Sequence, residues 1–573
     1  MLTKNKLLHF IIVGTSILLI ILILVVSSLN QRQKKTVTTK ALTDQTTILT
    51  QNLNNKINAW KNASGLAKAS SEVELETAAY LRKNQLLKDI STNPQKLFLN
   101  AISPSTRDIL PQRVKDQIEA TETITADFSQ SHLDNFKDKK AEYFYTARYL
   151  GKSFIVYFNS NPKIDNTRVY RITGKGLRLE NNLVFDSAGS TSSYKYTVSG
   201  PIYQVQTTGE KEIAIILVEF SNSESQDRVV SFDDVEKLYW TGDLTVNGFF
   251  VENSKGKTSL KGEIYDYVRI SADNKDCQDR GYINWGDLAL IELKKQKKSI
   301  SPAATKIFIF AKTDCFQGKE GTHIASNNTI YVYRNQYELG VNIHELGHSY
   351  GLGHSNYYDC GDASYLSNCL VKEYADWYDT MGWNFGYFNI PHITKLNWLD
   401  PGDVTSVFSK GFYTVKGISS FNLQRGLAVY KDNNLHYYIE YRTPNGYDSL
   451  TSPSAFDGVL IHTSDQTATN IIDPNPLSDA VDERLTDGAI FYDKVNNITI
   501  RQVSHNANSA QVEILYTTLT PTLTPTPSKN LTPPKTPTPT LSKKPTKTPT
   551  PTKKPTKTPT PTPCNARLYP CPQ

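Results

Sequence analysis

The densest chemistry in the sequence lies in one short segment, His344-Glu345-Leu346-Gly347-His348-Ser349-Tyr350-Gly351-Leu352-Gly353-His354. His344 and His348 are one helical turn apart, so on a helix they share a face and reach the same metal ion. Glu345 stands beside the first of them, where a carboxylate takes a proton from a water held by that ion. Gly351 is free to adopt positive φ, end the helix and turn the chain back, which brings His354 in as a third ligand. Three neutral imidazoles leave Zn2+ its full charge and an open position, the arrangement of a catalytic rather than a structural zinc. A purely structural ion would have no use for Glu345. The second signal is Met381, in Asp379-Thr380-Met381-Gly382, since the chain has only 2 Met and the other is Met1. Methionine is a flexible filler that other residues replace easily. A lone internal Met soon after the histidines therefore marks a specific packing need.

Elements on either side must position these groups. The pattern turns helical at about Leu339 and predicts the helix that carries His344 and His348. Ile213–Val218 and Ile307–Phe310 read as buried strands, and Thr329–Tyr333 alternates like an edge strand. Ser231, followed by Asp233 and Asp234, caps a helix expected to run through Trp240. Strands at regular spacing over 401–516 predict an all-β sandwich. Upstream, Leu49, Leu53, Ile57 and Trp60 recur at helical steps, and Asn93-Pro94 opens a further helix with Leu97, Phe98 and Ala101 on its apolar face. Aromatic and β-branched runs such as Glu142–Tyr145 and Phe154–Phe158 predict short strands over 121–205.

The histidine motif followed by Asp379-Thr380-Met381-Gly382 resembles the metzincin clan of zinc peptidases, and within it the gametolysin-type family. The residues that carry the family likeness are His354-Ser355 with Cys360 soon after, Glu373-Tyr374-Ala375-Asp376, Leu396-Asn397-Trp398-Leu399 and Tyr438-Ile439-Glu440-Tyr441-Arg442. The resemblance covers roughly 205–516. It implies a metzincin-like α/β (α+β) catalytic domain, one Zn2+ on His344, His348 and His354, Glu345 as the catalytic base and Met381 as a hydrophobic floor beneath the histidines. It also implies hydrolysis of peptide bonds in protein or glycoprotein substrates. Two departures stand out. Trp383 occupies the place where some metzincins have a metal-binding Tyr, so no fifth ligand is assigned, and Ala375 stands where a Gly is expected.

The fold class expected for the whole chain is thus multidomain. It comprises a membrane anchor at 1–35, a helical stalk or propeptide-like region at 36–120 and a small β domain at 121–205. These precede the α/β zinc peptidase domain at 206–400 and the β-sandwich at 401–516. A Pro/Thr/Lys-rich linker at 517–563, extended and without a core, leads to a short Cys-containing tail at 564–573. The anchor rests on the apolar run Leu7–Leu29, long enough as a helix to cross roughly 30 Å of hydrocarbon. The alternative is a signal peptide cleaved near Val26-Ser27-Ser28. Six Cys, none before Cys277, are most economically read as Cys277–Cys315, Cys360–Cys369 and Cys564–Cys571 disulfides, which places the bulk of the chain outside the cell. Free buried thiols are the alternative. The formal net charge of +7 comes from Lys and Arg at the two ends, which leaves the body of the chain acidic and argues against nucleic-acid binding.

Residues 36–205 are either an inhibitory segment or a stalk with a β spacer. A cysteine-based switch is excluded by the absence of Cys before Cys277; an Asp or simple steric cover remains open. Two rival functions remain beside the endopeptidase: a surface adhesin with a structural zinc, and a zinc amidase acting on cell-wall peptides.

Overall fold

The computed structural model describes residues 44–516, apart from 137, 187–193, 276–281, 316–319, 334–338, 362–368, 421–422, 452, 466–467 and 475–482. The run Leu7–Leu29, Cys277, Cys564, Cys571 and the Pro/Thr tail lie outside the described residues. Among the described residues no helix is long and apolar enough to cross a membrane. The chain divides into two compact units. One comprises residues 1–123, 157–161 and 174–196, and the other 124–156, 162–173 and 197–573.

The first unit is built on α1 (Gln45–Asn62) and α2 (Gly65–Ile90). Leu53, Ile57, Leu75, Ala78 and Ala79 close their interface with Ile102, Leu110, Val114 and Ile118. The apolar steps expected at Leu53 and Ile57 are therefore the core face of α1. At the centre of this unit Arg82 and Glu119 are fully buried and paired through both guanidinium nitrogens, at 2.8 and 3.1 Å. Arg82 also donates to the Asn100 carbonyl and to Thr50 Oγ1, and Glu119 accepts from the Ile102 N–H. Removing one partner would strand a buried charge. Arg82→Ala is expected to cost about 3–5 kcal/mol in chemical denaturation, and the double change Arg82→Met/Glu119→Leu to recover most of it.

Eight strands of the larger sheet, which lie in the second unit except for residues 120–123 and 157–158, are β1 (Ala120–Asn135), β2 (Lys140–Tyr149), β3 (Lys152–Phe158), β4 (Gly209–Glu219), β5 (Thr258–Arg269), β6 (Thr305–Phe310), β7 (Gly321–Ile324) and β8 (Thr329–Val332). They lie in the order β3-β2-β1-β7-β8-β6-β4-β5. β4, β5, β6 and β8 run parallel, whereas β7 is antiparallel to β8. β8 is an interior strand rather than the expected edge, and all four of its residues are buried. The helix expected from Ser231 is real only to Glu236. Residues 237–241 widen into a π turn that ends at Gly242, where a Cβ would lie 2.8 Å from the Lys237 carbonyl oxygen.

The expected succession of an α/β peptidase domain and a separate all-β sandwich is not what forms; the architecture is mixed α/β built on several shared sheets. The second sheet joins β9 (Ser355–Asp359) and β10 (Leu370–Lys372), which belong to the supposed peptidase segment, to five strands from the supposed sandwich. These are β11 (Val404–Val407), β12 (Gly426–Lys431), β13 (Asn434–Tyr441), β14 (Gly458–Ser464) and β15 (Thr469–Ile472), and the order is β10-β9-β15-β14-β13-β12-β11. β9 pairs parallel with β15 from Ser355↔Thr469 to Tyr358↔Ile472. One apolar core runs from Ile213 on β4 through Leu346, Met381 and Trp398 to Tyr438 on β13 and Tyr447. Burial is thus shared across the position where the sequence texture changes. The small β domain is equally not separate, because β1 joins the edge of the sheet formed by β4–β8.

Cys360 and Cys369 are joined by a disulfide, as expected, and Cys315 is also disulfide-bonded.

Candidate metal centre

α3 (Leu339–Ser349) carries the histidine motif, and its residues from Val341 to Ser349 are all buried. It ends where expected: Gly351 has φ 88°, and the Leu352 N–H turns back to the Gly347 carbonyl. His354 follows at once. Each of the three ring Nδ1 atoms faces an oxygen: His344 the Thr380 carbonyl at 2.8 Å, His348 the Leu352 carbonyl at 2.8 Å, and His354 Glu373 Oε1 at 2.8 Å. A carbonyl only accepts, so Nδ1 of His344 and of His348 carries the hydrogen and Nε2 presents a lone pair. Those two Nε2 atoms stand 3.0 Å apart. Two lone pairs at that distance repel unless a cation lies between them. Metal–nitrogen bonds of about 2.0–2.1 Å in a tetrahedral site place neighbouring nitrogens roughly 3.3 Å apart. The residues present therefore fit a bound ion.

Met381 is fully buried under the helix, and its Sδ lies 2.3 Å from where a Cβ on Gly347 would stand. The turn that carries it also positions the first histidine, since Thr380 supplies the carbonyl for His344. Asp379 fixes that turn by accepting from the N–H groups of Met381 and Asn389, both at 2.6 Å. Gly347→Ala is expected to force Met381 aside, to cost about 1–3 kcal/mol by overpacking and to weaken metal binding. Thermal melting and metal titration would show both.

Two residues of this centre were missed by the sequence reading. β1 brings His132 and Asp134, which alternate along the strand onto one face. The Asp134 carboxylate lies 3.5 Å from His344 Nε2, 3.8 Å from His348 Nε2 and 3.6 Å from His354 Nε2. Its Oδ1 also accepts from the Tyr374 hydroxyl. His132, Asp134, His348 and His354 form a buried group whose ligand atoms all lie within 4.8 Å of one another and which could hold a metal ion. His344 adjoins it through His348 and Asp134. Asp134 Oδ2, His354 Nε2, both ring nitrogens of His132 and both Glu345 oxygens are buried without a hydrogen-bond partner among the described residues. Nothing in the sequence flagged His132 or Asp134, because a His and an Asp two apart on a strand form no ligand motif.

The electrostatics follow from burial around one carboxylate. Burial holds the His348 imidazole well below its ordinary range and lowers His132 to about 4. Burial opposes protonation of His354 too, yet the Asp134 and Glu373 carboxylates raise it to about 9. Burial, with Asp134 adjacent, pushes Glu345 well above the usual carboxylate range. Glu345 also sits tight against β7, where a Cβ on Gly321 would fall 2.1 Å from its Oε1.

Outside the centre, Trp383 packs against Trp377 and lies under the Lys139 ammonium, 4.5 Å from its ring centre. The aromatic ring that lies over His354 is Tyr374, with centroids 4.0 Å apart. Tyr374 takes the left-handed conformation itself, φ 59°, one residue before the Ala375 that replaces the expected Gly.

No family model matches the chain, and no curated protein matches it. Among solved structures it is similar to one described as a chaperone–substrate complex, at 15% identity and a TM-score of 0.19. That match covers 35% of this chain and 30% of the other, and a likeness of that size carries no argument.

Proposed function

We propose that the chain is a zinc-dependent endopeptidase. The observation that carries this reading is the convergence of His344, His348 and His354, their outer ring nitrogens held by Thr380, Leu352 and Glu373, beside a buried carboxylate with no structural partner. The resemblance to gametolysin-type peptidases supports the same choice. Zn2+ in such a site supplies a Lewis acid that polarises a carbonyl and lowers the pKa of a water to about 7. Glu345 then removes the proton from the attacking water as the C–O bond forms, and returns it to the leaving amine as the C–N bond breaks. His344, His348 and His354 would hold the ion through their inward-facing Nε2 atoms. Met381 and the Asp379 turn keep the rings in register. The Cys360–Cys369 disulfide favours an oxidising compartment, and so proteins or glycoproteins outside the cell as substrates.

One observation favours a second reading, an adhesin with a structural ion: Asp134 stands where the open position of a catalytic site would be. The purified chain, assayed on casein with and without a chelator beside metal analysis, separates the two. Chelator-sensitive cleavage with about one zinc per chain supports the peptidase. One zinc and no cleavage supports the structural ion.

A further inference from the structure

We propose that Trp377 and Trp383 form a substrate subsite for a basic side chain, so that the peptidase prefers proteins with a lysine close to the bond it cuts. The inference rests on the peptidase reading and names the substrate class of that site. Three observations carry it. The first is the box itself. The two indoles meet edge to face with centroids 5.9 Å apart, and the Lys139 ammonium stands 4.6 Å from the Trp377 ring and 4.5 Å from the Trp383 ring. Both distances suit the attraction of a cation to an aromatic face. The second is what else surrounds that ammonium. No hydrogen bond or ion pair holds it among the described residues. Burial pulls it below its ordinary range, and the Glu483 carboxylate acts in the opposite sense. Glu483 is itself only 3% exposed. The box thus combines two aromatic walls with a buried acid near by, a setting that favours a cation over a neutral or acidic side chain.

The third is position. The Trp383 N–H donates to the Asp376 carbonyl at 2.8 Å, which closes the loop that brings the two indoles together. The same stretch of chain orients two of the histidines, through Glu373 on His354 and the Thr380 carbonyl on His344. The turn between β1 and β2 measures the step from the ion to the box. Phe136 lies edge-on to His344 with centroids 4.8 Å apart, and Lys139, three residues on, reaches the indoles. Three residues span at most about 10 Å, and here the Lys139 N–H returns to the Phe136 carbonyl at 3.3 Å, which shortens the step further. A peptide bound at the ion can therefore set one side chain beside the histidines and another in the box. Lys139 is half-buried on a long, flexible stem, and its ammonium is held by the two rings and the field of Glu483, so a substrate lysine competes with it on equal chemical terms.

The test uses the zinc-loaded full chain as wild type, Lys139→Ala, Lys139→Ala/Trp383→Leu and Lys139→Ala/Trp383→Phe. Burial raises Glu483 to about 7, so the assays run at pH 8, where it is ionised. The first readout is tryptophan fluorescence on titration with Nα-acetyl-lysine methylamide and with its uncharged counterpart, Nα-acetyl-norleucine methylamide. Lys139→Ala, with the box emptied, is expected to bind the lysine probe about tenfold more tightly than the norleucine probe, and more tightly than wild type does. Trp383→Leu should bring the preference down to about one. Trp383→Phe keeps a smaller aromatic face, serves as the folding control and should lie between. The second readout is kcat/KM for peptides that differ only by Lys or norleucine at one position, scanned along the sequence. At one position the ratio should favour Lys by about tenfold in Lys139→Ala and fall to about one with Trp383→Leu. Equal binding of the two probes by Lys139→Ala would overturn the subsite and leave Lys139 as a clamp on its own turn. A lysine preference in binding with no preference at any peptide position would overturn it as well, since the box would then lie off the substrate's path. If the lysine probe binds as expected but no peptide is hydrolysed, the peptidase reading fails while the cation box stands.

Discussion

Glu345→Gln is expected to lose about 10²–10⁴-fold in peptide hydrolysis while it keeps its metal ion. Glutamine preserves the shape of the side chain, which matters because β7 leaves no slack: Gly321 lies against Glu345 so closely that even a Cβ would collide with it. The amide, however, cannot accept a proton from water and pass it on. Neither oxygen of Glu345 hydrogen-bonds elsewhere among the described residues, so the substitution removes no structural contact. Loss of activity with zinc content and melting temperature unchanged would therefore report the proton transfer alone. If zinc is lost in step with activity, Glu345 is a ligand and the assignment of the base is wrong.

The residues of that experiment were legible in the sequence because their chemistry is local. His344, Glu345 and His348 share one turn of one helix, and Gly351 sets the return that delivers His354. The partners that orient them were only partly legible. Met381 stood out by its rarity, but the Thr380 carbonyl next to it, which fixes the His344 ring, has no sequence signature at all. His132 and Asp134 were invisible for a related reason. They reach the centre by pairing of β1 with β7, a contact between distant parts of the chain that neither strand's own pattern encodes.

The same physics explains the misplaced domain boundaries. Composition changes near residue 401, but strands pair by register and not by texture, so β9 lies beside β15 and the core continues from Leu346 to Tyr438. The edge expected at Thr329–Tyr333 failed because alternation reports one wet face, whereas β8 is covered by β6 on one side and by β7 on the other.

Which histidines own the ion is decided by a paired substitution. His348→Ala is expected to lower metal affinity by more than 100-fold, and His132→Ala by far less. All four rings are buried together, so proximity does not separate them. Orientation does. His344, His348 and His354 each have the outer nitrogen tied to an oxygen, which fixes the tautomer and aims Nε2 inward. Removing an outer-shell partner of that kind typically costs 10–100-fold in affinity, and removing the ligand itself costs more. Neither nitrogen of His132 has a hydrogen-bond partner among the described residues, so no hydrogen bond pre-sets its ring for ligation. Stability should follow metal occupancy. With free zinc at 100 times Kd the ion contributes about 2.7 kcal/mol to the wild type. A chelator should therefore lower the melting temperature of wild type and of His132→Ala by several degrees and leave His348→Ala almost unmoved. Equal metal loss in the two variants would instead make His132 a working ligand, and the site would be a closed four- or five-ligand cage that includes β1.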